Sequence, residues 1–290
     1  MKANPQVAIT SGEDVYSATV GALDLLGFSR NVEEEMVLIK PNLTNNSSPQ
    51  SGIITSPESV RAILERISSS RIIIGEGSGD SSAKLVFKTQ GYEELAREFD
   101  AELIDFDEGE VAEKVLTESF FKKRIPFAQS AVEADFIVSA AKLKTHSLAG
   151  VTLSMKNMFG TIPTRRNKLR FHGSIEKAIP DFMRVVKPDL CVLEAFPGNQ
   201  GNEVISDPVA SNIVIAGTDP LAVDIVGALC MDVNPDKVKH IQLMKEMEGR
   251  EYLEIKVVGE EIEEVKRSYR GDKRLSTKVM HTLSRIITYV

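Results

Sequence analysis

The stretch Lys142–Gly160, KLKTHSLAGVTLSMKNMFG, gathers side chains that could grip an anion and move a proton. Lys142 and Lys144 flank Leu143, so on an extended backbone both ammonium groups point the same way, and His146 keeps that parity. Two cations and an imidazole on one side of a strand end would hold an anionic group, and His146 could pass a proton near neutral pH. Lys156, next to Asn157, follows the apolar run Val151–Met155. That drier setting would lower the amine's pKa and make it a proton carrier or a nucleophile. Arg165 and Arg166 offer forked donors suited to carboxylate or phosphate. From Phe136 through Ile175 there is no Asp or Glu, although these make up 42 of 290 residues and about six would be expected in forty positions. Seven Lys and Arg residues and two of the four histidines, His146 and His172, fall in this window of a chain with formal charge −7. The plainer reading is a solvated basic surface. Interleaving of the cations with apolar residues and glycines argues against it.

Other candidates lie outside the window. Lys40 ends an apolar strand, where an unpaired charge is costly to bury. GEGSGD, Gly75–Asp80, follows a second predicted strand, and Gly77 and Ser78 would let backbone N–H groups close on an anion at a helix start. The full G-x-G-x-x-G spacing and a Walker lysine are missing, so a plain strand-to-helix turn is the other reading. Asp219, before Pro220, reads as a helix cap or a ligand. Asp224, one turn on among Ala222, Val223 and Ile225, reads as a buried partner for a lysine. A metal bound by His146 and His172 would need carboxylates from elsewhere, so the metal question stays open.

These residues need elements to position them. Period-2 apolar runs predict strands at Val7–Thr10, Met36–Lys40, Arg71–Gly75, Glu102–Phe106, Asp135–Ser139, Asp189–Glu194, Ser211–Ala216 and Glu254–Val258. Helices are predicted between them, at Glu13–Leu26, Pro57–Ser69, Tyr92–Phe99, Ile175–Val186, Pro220–Met231 and Pro235–Glu248. Ser56-Pro57 and Asp219-Pro220 each set a capping side chain before a first-turn proline. The alternation predicts a three-layer α/β fold, a mainly parallel sheet with helices on both faces. In such a sheet the ligand sits at the carboxyl ends of the strands. Residues 140–174 lack a strand or helix rhythm and read as a long functional loop. The expected organisation is an α/β domain over residues 1–262, in one lobe or two with the cleft near 140–175. Residues 263–290 follow as a basic tail of helical or irregular form.

Composition is that of a soluble globular protein, with 42% hydrophobic and 27% charged residues. No signal peptide is visible and no apolar run approaches the ~20 residues needed to cross a bilayer, so neither secretion nor a membrane partner is expected. Cys191 and Cys230, the only cysteines, lie in apolar settings. Two thiols cannot build a four-thiolate site, so no intrinsic iron–sulfur cluster is expected.

KPNL (Lys40–Leu43), GEGS (Gly75–Ser78), GYEELA (Gly91–Ala96), the Lys142–Gly160 block and AGTDPLAVD (Ala216–Asp224) occur in that order. Together, over roughly residues 5–260, they resemble the family catalogued as domain of unknown function 362. The resemblance implies a cytoplasmic protein of a family often joined to ferredoxin-type four-iron modules. It carries forward Lys40, Asn42, Lys142, Lys144, His146, Lys156, Asn157, Asp219 and Asp224 as site residues. The cysteine-rich module is absent here, so any cluster would come from a partner. The family's acidic-glycine pair reads Glu194-Ala195 in this chain, which leaves the role of Glu194 open.

Two functional readings follow. The first is a cytoplasmic enzyme acting on a small anionic substrate or cofactor. Lys142, Lys144 and an arginine, Arg165 or Arg166, would hold the anion, His146 or Lys156 would react with Lys144 as a third catalytic candidate, and Asp219 or Asp224 would orient a lysine or bind a metal. The second is a redox accessory protein that docks an acidic, ferredoxin-like partner through exposed lysines. Nucleic acid is not an expected partner, because beyond its first residue the window has only Phe159 and Phe171 for stacking and the net charge is unfavourable.

Overall fold

The computed structural model describes residues 4–77, 79–250 and 254–271, with backbone alone for 32–34. Ser78, and the part of the basic tail beyond residue 271, lie outside the described residues. The strands are β1 (Gln6–Ser11), β2 (Arg30–Pro41), β3 (Ile67–Glu76), β4 (Glu102–Asp105), β5 (Val111–Val115), β6 (Arg124–Ala128), β7 (Phe136–His146), β8 (Gly150–Thr152), β9 (Leu190–Asn199), β10 (Pro208–Val209), β11 (Ile213–Gly217) and β12 (Lys256–Gly259). All eight predicted strands are present within this set.

The main sheet runs β12-β1-β11-β9-β7-β2-β3-β4, with β8 added to β7 and β10 to β9. The pairs β9–β7, β7–β2, β2–β3 and β3–β4 are parallel, whereas β11 runs antiparallel to both β1 and β9. Strand alternation sends Leu38, Ile73, Ile137, Leu193 and Ile215 into one core, and Val37, Ile39, Ile74, Val138 and Val192 into the other. Helices cover both faces. Ile175–Met183, Pro220–Cys230 and Lys239–Glu248 pack on the first core, and Val15–Leu25, Pro57–Leu64, Ala83–Thr89 and Tyr92–Glu98 on the second. The α/β three-layer expectation is met.

The caps form as read. Ser56 Oγ accepts from the Glu58 N–H and the Asp219 carboxylate from the Ala222 N–H. The helix from Pro57 stops at Leu64 rather than Ser69, because Ile67–Ser69 pair with Arg30–Val32 and open β3 early. Residues 140–174 are not a loop. They continue β7 to His146, return as β8, and then form the helices Ser154–Asn157, Met158–Thr161 (3-10) and Arg165–His172. Lysines interrupting an apolar run read as strand ends. Here they stay in the strand because partners lie across it. Among the described residues no helix is long and apolar enough to cross a membrane, and both cysteines are buried free thiols.

Candidate functional site

The carboxyl ends of β2, β3, β7 and β9 carry buried charges in matched pairs. Lys142 and Glu194 are register partners on β7 and β9. The Lys142 Nζ donates to both Glu194 oxygens at 2.8 and 2.9 Å, and neither side chain reaches solvent. Glu194 also accepts from the N–H groups of Ser56 (3.0 Å) and Phe196 (3.0 Å). Lys40 donates to Glu76 at 2.7 Å, and Glu76 accepts in turn from the N–H groups of Gly77 and Leu43. Burial pulls the amine pKa of Lys40 and Lys142 down, and the facing carboxylates oppose that pull.

Asn157 joins the two sides of this edge. Its carboxamide oxygen accepts from Lys40 Nζ and Asn42 Nδ2, each at 3.2 Å, and its nitrogen donates to Lys40 O (2.9 Å) and Ser139 Oγ (3.1 Å). Lys144 points into an oxygen cage made by Thr44 Oγ1 (3.0 Å), Ile53 O (2.7 Å) and Glu203 O (3.2 Å). Burial, with Lys156 nearby, brings its pKa down to about 7, yet three acceptors for three N–H groups fit the ammonium form. Lys168, buried, approaches Asp107 at 3.9 Å.

His146 does not stand free. Its Nδ1 accepts from the N–H groups of Leu148 (3.0 Å) and Ala149 (3.2 Å), which sets the Nε2–H tautomer and turns that edge toward Glu203 Oε1 at 3.7 Å. Burial holds its pKa well below the ordinary 6.5. The expectation of a proton carrier near neutral pH is therefore corrected: the lone pair is occupied by a turn and the ring stays neutral. Burial raises the Glu203 carboxyl, but the bonds donated by the Ser147 N–H and hydroxyl, both 2.9 Å, act against it and favour the carboxylate.

Lys156 differs from the other lysines. Among the described residues its amine makes no hydrogen bond or ion pair, and it stands 4.8 Å over the Phe159 ring. Its side chain is half-buried. Burial first, and then the charges of Lys40 and Lys168 against that of Glu203, bring it down to about 8. His172 stacks on the same Phe159 ring, with centroids 5.0 Å apart and planes at 13°. Burial, with Lys156 beside it, pushes that imidazole down to about 4. Arg165 and Arg166 are exposed at the start of their helix.

Asp219 and Asp224 do not reach this edge. Since β11 is antiparallel, its carboxyl end faces the opposite edge of the sheet, where Asp219 pairs with Arg250 at 2.6 Å. Asp224 caps the turn that bears Lys156, accepting from the N–H groups of Ser154 (2.8 Å) and Met155 (3.2 Å) and from the Ser154 hydroxyl. Burial raises it to about 7. Neither carboxylate is bonded to a lysine: Asp219 is held by Arg250, and Asp224 acts on Lys156 only through the backbone of its turn. Among the described residues no three His, Cys, Asp or Glu side chains gather as metal ligands.

The profile of the domain of unknown function DUF362 matches residues 37–229. The chain belongs to the DUF362 family. A thylakoid-associated protein of Synechocystis is 27% identical to this DUF362 chain over 211 residues, which cover 69% of the chain and 64% of that relative. The match thus spans less than two thirds of the relative's length. Among solved structures, the lactate racemase apoprotein of Thermoanaerobacterium thermosaccharolyticum aligns with 79% of the chain and 57% of its own, at 13% identity and a TM-score of 0.48. That likeness is too distant to support an argument about activity.

Glu76, Glu203, Thr44 and Lys168 are not among the residues the DUF362 sequence singles out, and Glu194 stands there only as an acid of open role. Glu76 and Glu194 carried the same signal as Lys40, a charge closing an apolar strand. Glu203, in the turn after β9, carried none. Gly77 is a glycine for a packing reason: a Cβ there would lie 2.5 Å from Gly160 O and 2.8 Å from Lys168 Nζ. At Gly160 a Cβ would meet Glu76 Oε1 at 2.4 Å and Lys40 Nζ at 2.5 Å. Gly160→Ala is expected to destabilise the fold by about 1–3 kcal/mol, read from urea unfolding midpoints. A midpoint equal to wild type would mean the Lys40–Glu76 pair can move aside.

Proposed function

We propose that this protein is a cytoplasmic enzyme acting on a small anionic substrate, with Lys156 as the reacting group. One observation carries the reading. Among the described residues, Lys40, Lys142 and Lys144 each donate to oxygens of the fold, while Lys156 has neither a hydrogen bond nor an ion pair and is only half-buried. An unmatched amine suits a negatively charged ligand, and the surrounding staples hold its geometry before the ligand arrives.

The amine's pKa of about 8 also suits chemistry at neutral pH. About one tenth of it would be free base at pH 7, against about 0.03% for an ordinary lysine, a gain of about 300-fold. Trace acetylation with acetic anhydride across pH 6–11, read by peptide mass spectrometry, tests this. The expected result is a Lys156 midpoint near 8 and protection by acetate-sized carboxylates or inorganic phosphate. A midpoint near 10.5 with no protection would remove the enzyme reading.

Docking of a ferredoxin-like partner is the second reading. It needs outward ammonium groups, whereas Lys40, Lys142 and Lys144 are at most 1% exposed. Within residues 136–175 the exposed cations are Arg165, Arg166 and Arg170.

A further inference from the structure

We propose that Lys156 is the nucleophile that forms an imine with a small oxo compound, an aldehyde or ketone that also carries a carboxylate or phosphate. This rests on the enzyme reading above and narrows its substrate class. The amine sits on a turn locked on both sides of it. Asp224 holds the N–H groups of Ser154 and Met155, and Asn157 is bound to Lys40 O and Ser139 Oγ. Lys156 is therefore aimed by its neighbours while its own nitrogen stays unbonded among the described residues. No carboxylate among these lies within ion-pair distance of it, and the contact that is made is with an aromatic face. Such a nitrogen keeps its lone pair available, which imine formation requires and an anion-anchoring ammonium does not.

The second observation is a shared neighbour. His172 lies flat on the Phe159 ring, and the Lys156 amine stands over the same ring. In this proposal the His172 imidazole relays the proton from nitrogen to oxygen. The Nζ lone pair adds to the carbonyl carbon, the C=O π bond becomes a hydroxyl, and one N–H proton goes to that oxygen. The carbinolamine then expels the hydroxyl as water with the second N–H proton, leaving C=N. Amine and carbonyl become imine and water with no change of oxidation state. Arg165, at the start of the helix that ends in His172 and near enough to act on that ring's charge, offers the fork for the anionic group.

The test uses the full chain incubated with pyruvate, glyoxylate, dihydroxyacetone phosphate or uncharged acetone, reduced with borohydride and mapped by mass spectrometry. The expected result is one reduced adduct, on Lys156, formed about tenfold or more faster with charged oxo compounds than with acetone. The carboxylate and phosphate arms distinguish which anion the site prefers. Lys156→Met should give no adduct with an unchanged melting temperature, and His172→Gln should slow trapping about 10²-fold. Adducts scattered over surface lysines, or none, would overturn the imine. If phosphate or acetate still protects Lys156 from acetylation in that case, the imine alone fails. If protection is also lost, the enzyme reading fails with it.

Discussion

Lys142→Ala or Glu194→Ala is expected to cost about 3–5 kcal/mol of folding stability, because each leaves the other charge buried without its partner. The pair joins neighbouring parallel strands, and both side chains are fully shielded from water. Removing Glu194 would also orphan the N–H groups of Ser56 and Phe196. Removing Lys142 would leave a carboxylate facing those two donors alone. The double variant Lys142→Met/Glu194→Leu is expected to recover part of the loss, since apolar groups of similar volume can fill the space. Urea unfolding of the two single variants and the double variant measures this. Single variants within about 0.5 kcal/mol of wild type would mean that water reaches the pair. The result also bears on chemistry. Lys142 is committed to Glu194, and Lys40 to Glu76, so these two hold the strand ends in place for Lys156.

Acid should unfold the protein early, and histidines are the reason. His240 is fully buried, its ring nitrogens make no well-formed hydrogen bond among the described residues beyond a weak approach to the Ala149 backbone, and burial pushes its pKa down to about 3. His172 falls to about 4 and His146 well below 6.5, each chiefly through burial. Lys156 faces all three rings and adds to the effect, while Glu203 opposes it at His146 and His172 and the Ala149 backbone opposes it at His240. The folded pKa values lie below the unfolded value near 6.5, so the unfolded chain binds more protons below that pH. The histidine contribution is therefore complete above pH 6.5 and lost as pH falls toward 4, while the buried Asp224 carboxyl, raised to about 7, gains over the same interval and offsets about one ring. The slope is at most about 1.4 kcal/mol per pH unit for each buried ring. Between pH 6.5 and 4.5 the urea midpoint should fall by several kcal/mol equivalent in total, less for the partly exposed His172. His240→Leu should flatten the curve, and His172→Gln should flatten it less. A midpoint constant from pH 7 to 4.5 would rule this account out.

The core strands were legible because runs such as Val37–Ile39 and Ile72–Ile74 must leave water whatever the fold. Of the strands missed, β5 has the reverse pattern. On β5, Val111 and Val115 are the exposed positions, and β8 has three residues. Strand direction was also beyond the pattern, since period-2 burial reads the same both ways. This is why Asp219 was expected at the wrong edge.

Residue types and local spacing thus determined which segments are buried, that Asp219 and Ser56 cap helices, and that Lys40 closes an apolar strand. Tertiary structure alone decided what the charges of Lys40, Lys142 and Lys144 do. The partner of Lys40 is 36 positions away, that of Lys142 is 52, and the Glu203 carbonyl that receives Lys144 is 59. A buried ammonium group is tolerated only with an acceptor within about 3 Å. Whether one exists depends on how distant strands are brought side by side. The same packing left Lys156 unmatched among the described residues, and no local pattern distinguishes it from the lysines that are satisfied.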